Sequence, residues 1–111
     1  VEMMVLFLLK IYPSPSHRRE VLDILRHVVG PTSIQPGCLA CEIYEGMEDD
    51  QTILFLEQWE SLIHIQPHIQ SALFVRLLAA MELSATQPMI RFCEISQIQG
   101  IELVEALRNP E

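Results

Sequence analysis

Residues 51–70 read Q-T-I-L-F-L-E-Q-W-E-S-L-I-H-I-Q-P-H-I-Q, and the hydrophobic period changes inside this stretch. Gln51 to Trp59 is a short apolar run bounded by turn residues, as a strand requires. Trp59-Glu60-Ser61 marks the switch from period 2 to period 3.6, with Ser61 placed as an N-cap. Helical character then continues to about Leu83. Pro67 lacks an amide donor and is expected to break it into a short and a longer piece. A strand that feeds directly into a helical pair is therefore the centre of the reading.

Working outward, Pro36-Gly37 turns the chain into a run from Cys38 to Tyr44, and Gly46-Met47-Glu48-Asp49-Asp50 turns it again into Gln51 to Trp59. The two runs are close enough to form an antiparallel hairpin. Met3 to Tyr12 is rich in strand-formers and apolar in both phases, Met3, Val5, Phe7, Leu9 and Ile11 against Met4, Leu6, Leu8 and Tyr12, which predicts a strand covered on both faces. Pro13-Ser14-Pro15-Ser16 stops it and offers Ser14 or Ser16 as an N-cap. The helix that follows runs to about Val29, carries Val21, Leu22, Ile24, Leu25, Val28 and Val29 on a broad apolar stripe, and is expected to end at Gly30-Pro31. Met89 to Ile98 reads as a fourth strand. Gly100 precedes a last helix, Ile101 to Arg108, with Glu102 and Arg108 at the ends that the helix dipole favours.

The order β-α-β-β-α-α-β-α predicts a ferredoxin-like α+β fold, with four strands and helices on one sheet face. One domain spans 1–111, with a core over 3–98 and a helical extension over 100–108. Half of the 111 residues are hydrophobic and 20% are charged, more apolar material than one small core hides. The bare sheet face is where the surplus belongs, and a two-fold homodimer packed sheet to sheet is the economical way to cover it.

Several classes fall away. The longest apolar run, Met3 to Leu9, is far short of the about 20 residues of a membrane-spanning helix, so no membrane association is expected. That run has no secretory flanks, which predicts a cytoplasmic protein, and a start at Val1 suggests that the natural N-terminus is missing. Net charge is -8, with seven Lys and Arg scattered among fifteen Asp and Glu, so no nucleic-acid role is expected. Three cysteines do not close a disulfide set. Cys38-Leu39-Ala40-Cys41 has the spacing of a redox or zinc pair, but in a strand i and i+3 point to opposite faces, and packing is the expected role. Cys93, alone on the fourth strand, reads as core. Glu60, His64 and His68 at i, i+4 and i+8 suggest a metal site only superficially. Ligands must converge at about 2 Å, and Pro67 interrupts the helix, so no metal is expected.

Pro36-Gly37-Cys38, and Leu56-Glu57-Gln58-Trp59-Glu60-Ser61 followed by His64 and His68, resemble the antibiotic biosynthesis monooxygenase superfamily, with the closest likeness to its small quinol-monooxygenase-like bacterial members. Ser16 to Leu25 resembles their first helix, and the likeness reaches about Ile98. It implies a dimeric α+β barrel of two ferredoxin-like subunits, each with an apolar pocket between sheet and helices. It also implies oxygenation of a small aromatic hydroquinone or phenol with no cofactor, through deprotonation, electron transfer to oxygen and collapse to a quinone.

On that resemblance His68 is the expected base and His64 a supporting group, since neutral imidazoles near pH 7 suit a phenolic proton. Trp59 is expected to wall the pocket and donate to a substrate oxygen. Arg91, Tyr12 and Tyr44 are expected to reach the substrate, Arg91 as a permanent cation that could equally pair with a carboxylate across the dimer. The family's monooxygenases carry an Asn four residues before the tryptophan and a Tyr six after it, where this chain has Phe55 and Ile65. That loss favours an alternative, a noncatalytic dimeric module of the same fold that binds a small apolar molecule or an interaction partner. The haem-degrading branch is a poorer fit: its haem ligand falls at Leu78, and the first strand has no Asn.

Overall fold

The structure is a computed structural model that describes residues 2–48 and 51–109. Its elements are β1 (Met4–Ile11), α1 (Arg18–Ser33), β2 (Cys38–Glu45), β3 (Ile53–Trp59), α2 (Leu62–Ile69), α3 (Ala72–Glu82), β4 (Met89–Ile95) and α4 (Ile101–Arg108). All the pairings are antiparallel and the sheet order is β2-β3-β1-β4. This is the ferredoxin-like α+β arrangement expected from the element order. The predicted turn over residues 46–50 lies partly outside the described residues.

Strand alternation decides where the core sits. In β1, Val5, Phe7, Leu9 and Ile11 are fully buried beneath the helices, while Met4, Leu6, Leu8 and Lys10 are only half-buried on the other face. Ile53, Phe55, Glu57 and Trp59 of β3 continue the covered face, and Val21, Leu25 and Val28 of α1 with Phe74, Leu77 and Ala80 of α3 close over it. Phe7 is central: its ring lies 4.7 Å from that of Phe92, 5.8 Å from Phe74 and 6.3 Å from Phe55. Burying side chains of this size stabilises by roughly 1.5–3 kcal/mol each, so this face holds the fold together.

Four local expectations are corrected. Helix α1 begins at Arg18 with His17 at the cap and no side-chain capping bond, because Ser14 Oγ bonds the His17 ring at 3.0 Å instead. It also runs through Gly30 and Pro31 to Ser33, where a bond from Ser33 Oγ to the Val29 carbonyl holds the last turn. Pro67 likewise sits inside α2, and the break comes at Gln70-Ser71, where Ser71 caps α3 by accepting from Phe74 N–H. A bulge between Cys38 and Ala40 shifts the β2 register, so that Cys38 pairs with Trp59 and Cys41 with Glu57. The extra residue puts both cysteines in the helix-covered phase, not on opposite faces.

Among the described residues no helix is long and apolar enough to cross a membrane. Helix α4 has no buried residue, and Ile101, Leu103, Val104 and Leu107 are all exposed.

Candidate functional site

The candidate site begins with a carboxylate in the wrong place for a carboxylate. Glu57 lies between Phe55 and Trp59 in the inward phase of β3 and is fully buried. Glutamates are almost never buried unless paired, and this one uses both oxygens. Trp59 Nε1–H donates to Oε1 at 2.8 Å, and His68 Nε2 stands 2.8 Å from Oε2.

Helix α2 delivers His68. Ser61 ends the strand, caps the helix by accepting from His64 N–H, and sets the turn that points Ile65 and His68 inward. The imidazole lies over Trp59, with centroids 5.1 Å apart, and meets Phe74 edge to face at 5.5 Å. A carboxylate can only accept, so the His68 proton is on Nε2. In the neutral ring that leaves Nδ1 as a lone pair, buried and without a hydrogen-bond partner. A buried orphan of this kind costs free energy and calls for an explanation. Chemically, the set is an imidazole oriented by a carboxylate with its other nitrogen buried, which is how a general base is built.

Glu57 also faces the thiols across the β2–β3 pair. Burial, and then the Glu57 charge, raise the Cys41 thiol far above its ordinary value, and the same two causes raise Cys38. Both cysteines are free and stay protonated, which suits packing rather than nucleophilic chemistry.

The other expected residues do not join this cluster. His64 is on the same continuous helix as His68 but at its rim, half-exposed, with Nδ1 2.7 Å from Ser61 Oγ and Nε2 3.6 Å from Glu60 Oε2. Its ring lies against Gly37, whose φ is 85° and where an added Cβ would stand 2.4 Å from the imidazole. Gly37→Ala must therefore both strain the backbone and displace His64. We expect a loss of about 2 kcal/mol in urea denaturation, from strain of this size plus the clash, and a shifted His64 ring resonance.

Tyr44 and Arg91 lie on the uncovered sheet face, opposite His68, and both are exposed. Tyr44 donates to Glu42 Oε1 at 2.7 Å. Tyr12 follows β1, half-buried, with its N–H bonded to Ser84 Oγ and its carbonyl accepting from Ala85 N–H. Trp59 is fully buried and lines neither of the grooves that flank α2, and its indole N–H is committed to Glu57 and is not free for a substrate oxygen. Phe55 and Ile65 fill the core around the cluster, and Leu78 is exposed on α3. The grooves flanking α2 are lined by Gln35, Pro36, Ile63, His64 and Pro67 on one side and by Leu62, Ile65, Gln66, Ile69 and Gln70 on the other, without His68 or Trp59. Among the described residues no group of three or more His, Cys, Asp or Glu side chains is placed to hold a metal.

The sequence reading missed Glu57 as a site residue. The signal was present in the strand phase: alternation from Ile53 to Trp59 puts a carboxylate on the buried side.

The sequence model for antibiotic biosynthesis monooxygenases matches residues 4–80. Among curated proteins the chain is similar to the uncharacterized protein sll1783 of Synechocystis sp., with 27% identity over 60 residues, 54% of this chain and only 41% of that protein's length. Among solved structures it is similar to Rv0793 from Mycobacterium tuberculosis, with a TM-score of 0.78 at 18% identity over 87% of this chain and 99% of that one. It is also similar to a conserved protein from Methanosarcina mazei, with a TM-score of 0.76 at 18% identity over 84% and 93% of the two chains. A third, an antibiotic biosynthesis monooxygenase, gives a TM-score of 0.73 at 17% identity over 84% and 99%. At these identities the structural likenesses establish the fold.

Proposed function

The chain belongs to the antibiotic biosynthesis monooxygenase family, and we propose from that premise that it is a cofactor-independent monooxygenase of a small phenol or hydroquinone, with His68 as the base. The observation that carries this reading is the Glu57–His68 contact, which leaves Nδ1 buried with no protein partner. A phenolic O–H would satisfy that lone pair and give up its proton to it. Glu57 positions the ring and stabilises the imidazolium. The phenolate gives one electron to oxygen, and the radical pair joins through a new C–O bond. The resulting hydroperoxide takes the proton from His68, loses the hydrogen on its ring carbon, and splits out water to leave the quinone carbonyl. One oxygen molecule enters; one oxygen atom stays in the quinone and the other leaves as water. Trp59 and Phe74 hold the ring of His68 and keep water out.

His68→Gln tests the base. Its amide nitrogen can still donate to Glu57, so the fold keeps its contact while the basic nitrogen is lost. Oxygen uptake above the protein-free background, matched one to one by quinone, should fall by about a hundred-fold. Equal rates in parent and variant would remove His68 from the role.

A second reading, a noncatalytic module binding a small apolar molecule, is favoured by the core filled by Phe55 and Ile65 and by the full burial of His68 and Trp59. A saturable thermal shift with no oxygen consumed would select it. In either reading the chain works as a homodimer closed over the bare sheet face, and a cytoplasmic setting suits its three free cysteines.

A further inference from the structure

His68 holds the proposed base behind a closed wall. Its Nδ1 is buried without a partner, and neither groove beside α2 is lined by the imidazole. The sheet offers no way in, because Phe7, Phe55 and Trp59 are fully buried on β1 and β3, the two central strands, each paired on both sides. Helix α2 is built differently. It buries Ile65 and His68, one turn apart on its inward face, and Pro67 between them has no amide to bond the Ile63 carbonyl. The ladder is thus interrupted between the two buried side chains. Beyond the break His68 is held by Glu57. Before it, Ile65 is only 1% exposed, yet it floors the groove formed with Leu62, Gln66, Ile69 and Gln70. Ile65 therefore has the groove on one side and the base one turn along.

We infer that Ile65 is the gate to His68: the first turn of α2 pivots at Pro67, the side chain swings out of the core, and an uncharged phenol enters along the groove. The inference rests on the monooxygenase reading above and adds the access route and the class of substrate it admits. A pivot at Pro67 lets the first turn lift while His68 stays on Glu57, so the base keeps its orientation as room opens beside it. On the other flank His64 holds the closed form, with its ring against Gly37 and Nδ1 2.7 Å from Ser61 Oγ. Withdrawing one aliphatic side chain is a small enough loss for on the order of 1% of molecules to be open at any moment. The lining selects what enters. Leu62 and Ile69 are exposed and apolar, Gln66 and Gln70 are exposed amides, and no charged side chain is among them. An aromatic ring can lie on the first pair while its hydroxyl bonds the second, whereas an aromatic acid finds no cation for its carboxylate.

Trp59 is the only tryptophan in the chain, and its ring lies against His68, so acrylamide quenching of its fluorescence reads access to the base without turnover. The parent is compared with Ile65→Val, Ile65→Ala, Pro67→Ala and Ile53→Ala, with urea denaturation as the check on folding. Ile53 is fully buried at the far end of β3, about 20 Å from Trp59, so its truncation loosens the core without touching the gate. Quenching should rise from the parent through Ile65→Val to Ile65→Ala and fall in Pro67→Ala, which restores the missing amide. In the oxygen-uptake assay kcat/KM for hydroquinone should rise at least about ten-fold in Ile65→Ala, since a closed gate lowers apparent affinity by the open fraction. Ile53→Ala should match the parent in both measurements. Quenching in Ile65→Ala no greater than in Ile53→Ala, or an unchanged kcat/KM with uptake intact, would overturn the gate; Pro67→Ala quenched as readily as the parent would overturn the pivot. Greater quenching with no oxygen uptake in the parent or any variant would uphold the gate and remove the monooxygenase reading. Ile65→Val loses a single methylene, so it carries the same comparison if Ile65→Ala does not fold.

Discussion

Glu57→Ala should cost about 2–6 kcal/mol of unfolding free energy, about 1–3 kcal/mol for each of two buried donors left unsatisfied. The alanine leaves a void, but the larger loss is polar. Trp59 Nε1–H and His68 Nε2–H both donate to this carboxylate inside the core, and without it two buried donors have no acceptor. Domains of this size have only about 5–15 kcal/mol in total, so the variant should lose a large share of its stability. Urea denaturation at one fixed protein concentration measures the loss, because a self-associating chain gains apparent stability with concentration. A second variant separates polar loss from lost volume. Glu57→Leu combined with His68→Leu and Trp59→Phe removes the acceptor and both donors together, and should recover most of the loss, as apolar replacement of buried polar sets often does. If the triple variant is as unstable as Glu57→Ala, the cluster contributes through its shape and not through unmet hydrogen bonds.

That contrast bears on function as well as stability. A fully apolar replacement would pack without any orphan, so the native chain retains a less comfortable arrangement with Nδ1 of His68 unpartnered. Polar groups kept in a core at a cost to stability are candidates for chemistry. The base assignment and the stability prediction therefore lean on the same atoms but have separate readouts. His68→Gln keeps the donor and loses the base, whereas the triple variant loses both.

Much of the fold was legible because periodicity carries it. The double-faced apolar pattern of Met3 to Tyr12 marked β1, and the change of period at Trp59-Glu60-Ser61 placed the β3–α2 junction with its Ser61 cap. Proline was misleading twice. Pro31 and Pro67 each lie inside a helix, since tertiary burial of apolar neighbours, Val28 in one helix and Ile65 in the other, outweighs the lost amide bond. The site was less legible, for a different reason. Period 2 divides each strand into two faces but does not say which one the helices cover, and β1 is apolar on both. The pattern therefore does not separate Arg91 and Tyr44 from His68, although the registers put them on the opposite side. The β2 bulge adds a phase shift that Cys38-Leu39-Ala40-Cys41 does not announce.

Phe7→Ala should also cost about 3–5 kcal/mol, the usual range for a buried phenylalanine, and here the location of the cavity matters as much as its cost. Phe7 is fully buried at the centre of the sheet and touches three other rings, Phe92, Phe74 and Phe55. Phe74 in turn packs its ring against His68. Truncation therefore opens an apolar space one ring away from the proposed base. Close-packed neighbours relax only partly into such a space, and apolar cavities of sufficient size stay dry and take up small aromatics. Saturating benzene or indole should raise the variant's Tm while leaving the parent unchanged, and Phe7→Leu should lose much less because it keeps most of the volume. If the monooxygenase reading holds, the same variant should accept bulkier phenols than the parent in the oxygen-uptake assay, because the added space adjoins Phe74 and His68. Full loss of stability with no aromatic rescue would mean that the core around His68 collapses on truncation, and that room for a substrate has to come from movement of α2 rather than from the sheet side.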